Sequence, residues 1–293
     1  MSRRKKRALT GVLLLLILLT VYVLSSLWIS KNHLAVREYT VHTGGNEAGF
    51  RAVVIGDLHD HEFGEENETL VKTIEEQNPD LILIAGDMLN ADSASPAVPV
   101  TLIEQLKRTA PIYYALGNHE IEYMEQTGED LTEELTAAGA VVLDKAYVDL
   151  ETEGVSIRLG GMYDYAFGTD RETGENLASA APEDTAAFLQ EFQDTDRLRI
   201  MLAHRPDSFI FGDASEVWDV DLVISAHDHG GQVVLPFLGG VYGGDQGWFP
   251  KYIHGLYQKG RIQLFVTSGL GTNRELVPRF NNPPEIAVLT IGG

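Results

Sequence analysis

Side chains that can bind divalent metal ions follow five apolar runs of this chain. Carboxylate, imidazole and amide groups are common protein ligands of such ions. Five of the nine histidines lie in these segments. The others are expected on the surface or in linkers, with His61 a further candidate for the site rim: His33, His42, His61 and His254. The five segments are Gly56-Asp57-Leu58-His59, Gly86-Asp87, Gly117-Asn118-His119, Ala203-His204 and Ala226-His227-Asp228-His229.

The spacing within two of these segments favours chelation. Asp57 and His59, like His227 and His229, are two residues apart. In extended backbone such pairs point to the same side, so each pair is expected to chelate while Leu58 faces the core. Functional groups of open α/β sheets gather beyond the carboxyl ends of the strands, so the segments are expected to converge on one site.

Each segment also has an ordinary interpretation when it is taken alone. A Gly-Asp pair at a strand end is commonly a turn or a helix cap, and a single histidine is commonly solvated or hydrogen-bonded. For Asp57, Asp87, Asn118 and His204 taken singly, that interpretation is the stronger one. The repetition of the pattern at five strand ends instead favours a metal site.

The ligand set predicts two borderline divalent ions. Two carboxylates, several imidazoles and one amide oxygen suit Mn, Fe, Co, Ni or Zn, whereas Ca and Mg prefer all-oxygen shells. Two such ions, two carboxylates and a bridging hydroxide leave a charge of about +1, which suits an anionic phosphoryl group. The pair would acidify the bridging water and stabilise both oxygens of an in-line displacement.

The body of the chain alternates short β-rich runs with helical stretches, which is typical of a layered α/β fold. Residues 143–150 and 155–162 are predicted to form a hairpin, and residues 32–49 either a tether or a first strand. The remaining predicted strands are 50–55, 81–85, 112–116, 198–203, 221–226, 262–267 and 286–291, and the predicted helices are 68–77, 96–107, 132–138 and 184–192.

The N-terminal segment is predicted to anchor the protein in a membrane, outside the folded body. Residues 8–29 are uncharged and rich in leucine, close to the roughly 20 residues that cross a bilayer. The stretch is too long for a cleaved signal peptide, and five basic residues precede it, which places the N-terminus in the cytoplasm and the body outside. A buried helix and a twin-arginine export signal are the weaker alternatives. The expected organisation is a basic tail over 1–7, a signal anchor over 8–29, a linker over 30–47 and one domain over 48–293.

Composition excludes several classes of function. Without the five basic residues at 3–7, the chain has 17 basic against 43 acidic residues, a charge of −26. Such a body repels nucleic acid at long range, and no obligate protein partner is evident. Cysteine is absent, which excludes disulfides, thiol catalysis and cysteine-bound metal. No Gly-x-Ser-x-Gly motif of a serine hydrolase occurs either.

The order of the motifs resembles that of the calcineurin-like metallophosphoesterases, and the resemblance extends from Arg51 to the C-terminus. It implies a four-layer α/β/β/α sandwich with a dinuclear metal site. It also implies that His119 binds no metal but lies over the substrate as a general acid or charge stabiliser. The implied ligands are Asp57, His59 and His229 for one ion, Asn118, His204 and His227 for the other, and Asp87 for both.

Further segments resemble one branch of this superfamily. Its members include membrane-associated phosphoesterases, some of them UDP-2,3-diacylglucosamine pyrophosphatases, although one fold hosts many substrates. The segments are His204-Arg-Pro-Asp207, Gly230-Gly-Gln232, Ser268-Gly-Leu-Gly271 and Arg279-Phe-Asn-Asn-Pro-Pro-Glu-Ile286.

Three positions depart from the family pattern. Ala226 replaces a glycine, which would cost roughly 1 kcal/mol or more if the position required a positive φ. Asp228 replaces a small hydroxylated residue; it is expected to point away from the metals, and it could draw a third cation. Gly56 replaces serine or threonine without expected harm.

The predicted function is an extracytoplasmic, membrane-anchored phosphodiesterase or pyrophosphatase that acts on an envelope lipid or a nucleotide-linked lipid. A phosphomonoesterase or protein phosphatase on the same site is an alternative. A non-catalytic, metal-stabilised binding module is another, although His119 would then have no role. In the stretch rich in glycine and aromatic residues over 236–257, Trp248 and Phe249 are predicted to rim the substrate site; the alternative is that they pack onto the sheet beneath.

Overall fold

The computed structural model describes residues 3–44, 48–273 and 277–292. Its helices are α1 (Arg3–Asn32), α2 (Glu68–Glu75), α3 (Ala97–Leu106), α4 (Asn118–Thr127), α5 (Leu131–Ala138), α6 (Glu183–Gln193), α7 (Asp207–Ile210) and α8 (Ala214–Val217). The first strands are β1 (Ala35–His42), β2 (Gly49–Ile55), β3 (Leu81–Ile84), β4 (Ile112–Ala115), β5 (Ala140–Leu143), β6 (Ala146–Thr152), β7 (Val155–Met162), β8 (Gly168–Thr169) and β9 (Asn176–Leu177). The remaining strands are β10 (Leu198–Ala203), β11 (Leu222–Ser225), β12 (Val234–Leu235), β13 (Gly239–Gly240), β14 (Tyr242–Gly243), β15 (Gly247–Trp248), β16 (Gly255–Lys259), β17 (Ile262–Val266) and β18 (Glu285–Gly292).

Two six-stranded sheets carry the fold. Sheet A has the strand order β1-β18-β2-β3-β4-β5, and sheet B has the order β16-β17-β11-β10-β7-β6. Strands β2 to β5 run parallel in sheet A, and β7, β10, β11 and β17 run parallel in sheet B. The carboxyl ends of the parallel strands therefore lie along one edge of each sheet.

Alternation along the strands produces the layers. On β2, Val53 and Ile55 face the core between sheet A and helices α2 to α5, while Ala52 and Val54 face the core between the two sheets. On β11, Val223 faces a third core against α6 to α8. Each sheet thus buries one face against helices and the other against its partner, because both faces are apolar. The predicted four-layer α/β/β/α sandwich is confirmed.

The predicted segment 143–150 is divided between the two sheets. Strand β5 ends at Leu143 in sheet A, and β6 begins at Ala146 in sheet B. Lys145 between them has a left-handed backbone with φ 44°, which turns the chain from one sheet to the other. The predicted hairpin forms between β6 and β7.

Residues 32–49 were predicted to form either a tether or a first strand, and the structure contains a strand in this segment. Strand β1 pairs in parallel with β18 along eight residues, from Ala35 opposite Glu285 to His42 opposite Gly292. The segment expected as a linker over 30–47 therefore contributes to sheet A, and the sheet begins before residue 48. Residues 45–47 of that segment lie outside the described part of the chain.

Helix α1 is longer than the predicted anchor and touches the body. It is the one described helix that is long and apolar enough to cross a membrane, by length and composition. Its C-terminal turns were expected to lie outside the folded body, but they contact the loop before β18. Ser26 Oγ donates to Asn281 Oδ1 at 2.7 Å, and Asn282 N donates to Ser30 Oγ at 3.0 Å.

The two sheets meet at the strand ends that precede the predicted ligands. A Cβ atom on Gly56 would lie 3.0 Å from the Cβ atom of Ala226. Ala226 is not among the described residues with positive φ, so the strain anticipated at this position does not arise. The two departures from the family pattern are complementary in size: the methyl group of Ala226 occupies the space that a side chain at position 56 would need.

We expect Gly56→Ser to lower the free energy of unfolding by about 1 kcal/mol, since overpacking in a filled core typically costs 1–3 kcal/mol. Adding Ala226→Gly should recover most of that loss. The measurement is urea unfolding of the full chain in micelles, followed by tryptophan fluorescence. Ala226→Gly alone is the control, because it removes a buried methyl group. If Gly56→Ser were equally costly in both backgrounds, the two positions would not be coupled.

Candidate metal centre

The structure brings six of the seven predicted ligands together where the two sheets meet, and the seventh, Asn118, lies in the wall of the same cavity. Three groups of side chains each offer ligand atoms that lie within 4.8 Å of one another. Two of the groups share Asp87, and two share His59. The groups are Asp57, His59 and His229; His59, Asp87 and His119; and Asp87, His204 and His227.

The backbone at five of the seven predicted ligands is left-handed, not extended. The extended geometry predicted for the two-residue spacings is therefore wrong, although Leu58 is buried in the core as expected. Such conformations cost about 1–3 kcal/mol each for residues other than glycine and persist where surrounding contacts enforce them. The φ angles are 49° for Asp57, 51° for His59, 54° for Asp87, 72° for His227 and 46° for His229.

Glycines leave room for the two carboxylates. A Cβ atom on Gly269 would lie 2.5 Å from Asp57 Oδ2, and one on Gly117 would overlap Asp87 Oδ1. A residue of β18 holds the loop that contains Gly269: the buried Glu285 accepts a hydrogen bond from Ser268 N at 2.7 Å. A side chain at either glycine would displace a predicted ligand.

Asp87 lies at the centre of the group. Its Oδ2 atom is 3.2 Å from His204 Nε2 and 3.9 Å from His59 Nε2, and its Oδ1 accepts a hydrogen bond from His119 N at 2.9 Å. Burial raises the pKa of this carboxyl, but the surrounding histidines hold it well below its usual range. Asp87 is therefore a buried carboxylate that faces both halves of the site.

Several buried atoms of these side chains lack any hydrogen-bond partner. Unsatisfied buried polar groups are costly, and such a cluster at one place indicates a missing partner. The atoms are acceptors or imidazole nitrogens, the donor set that borderline divalent ions prefer. They are Asp57 Oδ2, His59 Nδ1 and Nε2, Asn118 Oδ1 and His229 Nδ1. The residues present therefore fit a metal centre.

The electrostatics of His59 and His227 agree with that fit. Burial lowers the pKa of His59 and of His227 well below the usual range, which keeps both imidazoles neutral. For His204, burial lowers the pKa, but Asp87 outweighs it and raises the value to about 9. His204 Nδ1 lies 2.7 Å from Ala85 O, which leaves Nε2 facing Asp87. The site thus stabilises positive charge between these two side chains.

His119 differs from the other histidines in its hydrogen bonding. Its Nδ1 accepts a hydrogen bond from Ala91 N at 2.9 Å, so the neutral ring carries its proton on Nε2. Nε2 lies 4.0 Å from Asp87 Oδ2, and the side chain is partly open to the cavity. A nitrogen that carries a proton can donate it but cannot bind a metal ion.

Glu120 was given no role in the sequence analysis, yet it organises two of the loops. This fully buried carboxylate accepts hydrogen bonds from Asp87 N, Gly117 N and Tyr114 OH at 2.8, 2.8 and 2.6 Å. Burial and the charge of Asp87 raise its pKa. The available signal was its place at the third position of α4, where a glutamate commonly binds back to the start of the helix.

A cavity of about 270 Å³ opens over the site. Tyr242 lines it, and the exposed Trp248 ring contacts Tyr242 edge-on with centroids 5.5 Å apart. Phe249 is also exposed, so neither predicted rim residue packs onto the sheet beneath. The lining residues are Asp87, Asn118, His119, His227, Asp228, His229, Gln232, Tyr242, Gly244, Asp245 and Asn273.

The surroundings of three further side chains add to or differ from those that the sequence predicts. Asp228 Oδ2 accepts a hydrogen bond from Gln246 Nε2 at 2.6 Å, which turns it toward the 3-10 turn at 244–246. His61 lies in a separate cavity beside Lys31 of α1. His254, expected on the surface, is half-buried, and its Nε2 lies 2.9 Å from Tyr39 OH.

Comparison with known proteins agrees with this geometry. The family model described as calcineurin-like phosphoesterase matches residues 50–231. The uncharacterized metallophosphoesterase YkuE of Bacillus subtilis (strain 168) is 31% identical over 250 residues, which cover 83% of this chain and 79% of that protein.

Two further relatives are similar at comparable identity. The phosphodiesterase YaeI of Escherichia coli (strain K12) is 28% identical over 251 residues, covering 84% of this chain and 83% of that protein. An uncharacterized metallophosphoesterase of Campylobacter jejuni is 29% identical over 264 residues, covering 88% of this chain but only 63% of that protein. The family match spans more than half of the chain and includes all seven predicted metal ligands. The chain belongs to the calcineurin-like phosphoesterase family and is a metal-dependent phosphoric ester hydrolase.

Proposed function

We propose that the protein is a membrane-anchored phosphodiesterase or pyrophosphatase with two divalent metal ions, acting on a lipid-linked phosphoester outside the cytoplasm. The observation that carries the catalytic part is the cluster of unpartnered buried ligand atoms around Asp87. The lipid part is supported by the apolar helix α1 and by Tyr242 in the cavity wall, against which the exposed Trp248 ring packs.

The groups of the site divide into two sets that share one carboxylate. Asp87 belongs to both, because its Oδ2 faces His204 on one side and His59 on the other. Bound divalent ions would supply positive charge for a phosphoryl group and a more acidic water molecule. The first set is Asp57, His59 and His229, and the second set is Asn118, His204 and His227.

His119 is proposed as the general acid. With Nδ1 occupied by Ala91 N, the ring holds a proton on Nε2 beside the cavity. That proton can be donated to the leaving oxygen of the phosphoester or stabilise charge on it. The backbone N–H of His119 is bonded to Asp87 Oδ1, which fixes the ring relative to the central carboxylate.

The rim favours a substrate with an apolar part. Tyr242 forms one wall of the cavity, and Trp248 extends the aromatic surface outward from it. Exposed aromatic rings next to a polar cavity can hold an acyl chain while the phosphate lies over the metal ligands. The Escherichia coli relative YaeI is named a phosphodiesterase, which supports a diester substrate.

Asp87→Asn should abolish turnover of a generic phosphodiester and lower metal content, because both metal positions lose their shared charge. His119→Ala should retain both metals and lose turnover by about 10²–10⁴-fold, the usual contribution of a positioned acid. Metal content is measured by elemental analysis of the purified full chain, and turnover by chromogenic diester and monoester substrates in parallel.

His42→Ala is the matched control, since this histidine is exposed on β1 away from the cavity. It should change neither quantity. Loss of metal in His119→Ala, or turnover by this variant equal to that of the unaltered protein, would contradict the role proposed for this residue. A preference for the monoester substrate would contradict the diester proposal while leaving the metal site intact.

Protease added to spheroplasts should digest the acidic body and leave a fragment that contains the basic tail and α1. The charge difference across α1 favours an orientation with the tail inside and the body outside. Immunoblotting against tags at either terminus identifies the surviving fragment. If the body were protected from protease without detergent and digested when detergent is added, the orientation would be the reverse of the proposed one. A lipid outside the cytoplasm could then not be the substrate.

Replacing both Trp248 and Phe249 by alanine should reduce turnover of a lipid-linked phosphoester far more than that of a small chromogenic diester. The two side chains are exposed, so the fold should be unaffected, as thermal melting can verify. Val217→Ala, at an exposed apolar residue on α8, is the matched control. Equal losses of turnover on both substrates would indicate that Trp248 and Phe249 have a structural role and do not bind the lipid part of the substrate.

A further inference from the structure

The hairpin formed by β12 and β13 ends in an exposed apolar tip, Pro236-Phe237-Leu238. Phe237 is fully exposed and Leu238 is 66% exposed. No charged residue occurs from Gly230 to Gly244, although the body carries 43 acidic residues. Large apolar side chains grouped at a surface indicate a contact with something apolar.

The base of this hairpin lies against helix α1. Asn281 Nδ2 donates hydrogen bonds both to Val234 O at 3.1 Å and to Tyr22 OH at 2.6 Å. Val234 N donates to Phe280 O, and the Phe280 ring contacts the Tyr22 ring edge-on with centroids 5.9 Å apart. The hairpin base therefore lies at the level of Tyr22 along the helix.

That level falls within the apolar stretch of α1. At 1.5 Å per residue, the contacts from Ser30 back to Tyr22 extend about 12 Å along the helix. A bilayer core needs about 20 apolar residues, and counting from Ala8 this length ends near Leu27, beyond Tyr22. On the helix face that the body leaves open, Leu24 and Trp28 are 61% and 65% exposed at the same level. If α1 crosses the membrane, lipid must surround this part of the helix and the hairpin beside it.

We infer that the tip Pro236-Phe237-Leu238 enters the outer leaflet of the membrane that α1 spans. This inference rests on the membrane anchoring in the proposed function. The tip contacts lipid and not a protein partner, because the surface of α1 beside the hairpin is itself apolar and suits a lipid environment. A cavity beneath the hairpin is lined by Arg37 and Lys251; Arg37 Nη1 lies 3.4 Å from Glu285 Oε1, and the ammonium group of Lys251 suits the phosphates of lipid head groups.

Insertion of the tip would set the position of the metal cavity. Val241 N donates to Gly231 O at 3.1 Å, and a Cβ atom on Gly240 would lie 2.8 Å from Gly231 Cα. Gly231 belongs to the turn that follows His229 and carries Gln232 into the cavity lining. The hairpin thus packs directly on the ligand loop and would hold the cavity at the height of the lipid head groups.

The absence of cysteine permits a direct test with the full chain in vesicles of phosphatidylcholine and phosphatidylglycerol. Leu238→Cys is labelled with an environment-sensitive fluorophore, and nitroxide-labelled lipid is added to the vesicles as quencher. We expect a blue-shifted emission that the nitroxide lipid quenches. Val217→Cys, exposed on α8, is the matched control and should remain unquenched. Leu15→Cys, in the middle of α1, reports on the anchor itself.

The outcomes separate the hairpin from the anchor. Quenching at positions 15 and 238 but not at 217 supports the inference. Quenching at 15 alone overturns it and leaves the anchor intact, while a blue shift at 238 that grows with protein concentration and resists the quencher assigns the tip to a protein partner. Equal quenching at 217 and 238 also overturns it, because the body then lies on the lipid without a preferred face. Absence of quenching at 15 overturns both proposals.

A second variant tests the consequence for turnover. Replacing Phe237 and Leu238 by serine should leave hydrolysis of a soluble diester unchanged and reduce hydrolysis of a lipid-linked phosphoester in vesicles severalfold. Detergent micelles should remove that difference, since the substrate then reaches the cavity without a membrane surface. A reduction that persists in micelles would show that the tip acts on the site and not through the bilayer.

Discussion

The burial of two carboxylates beside four imidazoles is the constraint on which the rest of the site depends. Asp57 and Asp87 are almost fully enclosed, and a charge without compensation is expensive in such surroundings. Compensation for Asp87 comes from His204 and from the N–H of His119, and the atoms that remain unpartnered match the preferences of divalent ions. The left-handed loops and the close glycines are arrangements that this enclosure requires.

The fold meets that constraint by bringing the ends of two parallel sheets together. The ligands come from loops after β2, β3 and β4 in one sheet and after β10 and β11 in the other. Neither sheet alone supplies either of the two proposed ligand sets, and Asp87 of sheet A lies against His204 of sheet B. Because the sheets approach closely at Gly56 and Ala226, small changes of side-chain volume there bear directly on the distance between the two halves of the site.

Sequence reasoning located most strands of the two large sheets and the set of side chains that converge, because apolar runs and the residues that end them are local signals; the four layers were implied by the resemblance to the family. It failed where the outcome depends on contacts between distant segments. The backbone of Asp57 and His59 is left-handed because the neighbouring loops enforce it, and two-residue spacing cannot distinguish that conformation from an extended strand. The role of the buried Glu120 depends on hydrogen bonds from Asp87 N and Gly117 N, which belong to two different loops. The division of 143–150 at Lys145 and the contact of Ser26 with Asn281 likewise arise from tertiary packing.

The parallel pairing of β1 with β18 has a consequence for the order of folding. These strands are separated by about 250 residues, so the contact that completes sheet A is among the most non-local in the molecule. During synthesis, α1 and β1 are made long before β18, so β1 must wait as an unpaired strand until β18 is made. Glu285 of β18 also holds the loop that flanks Asp57. The metal pocket can therefore become competent only after nearly the whole chain has been translated.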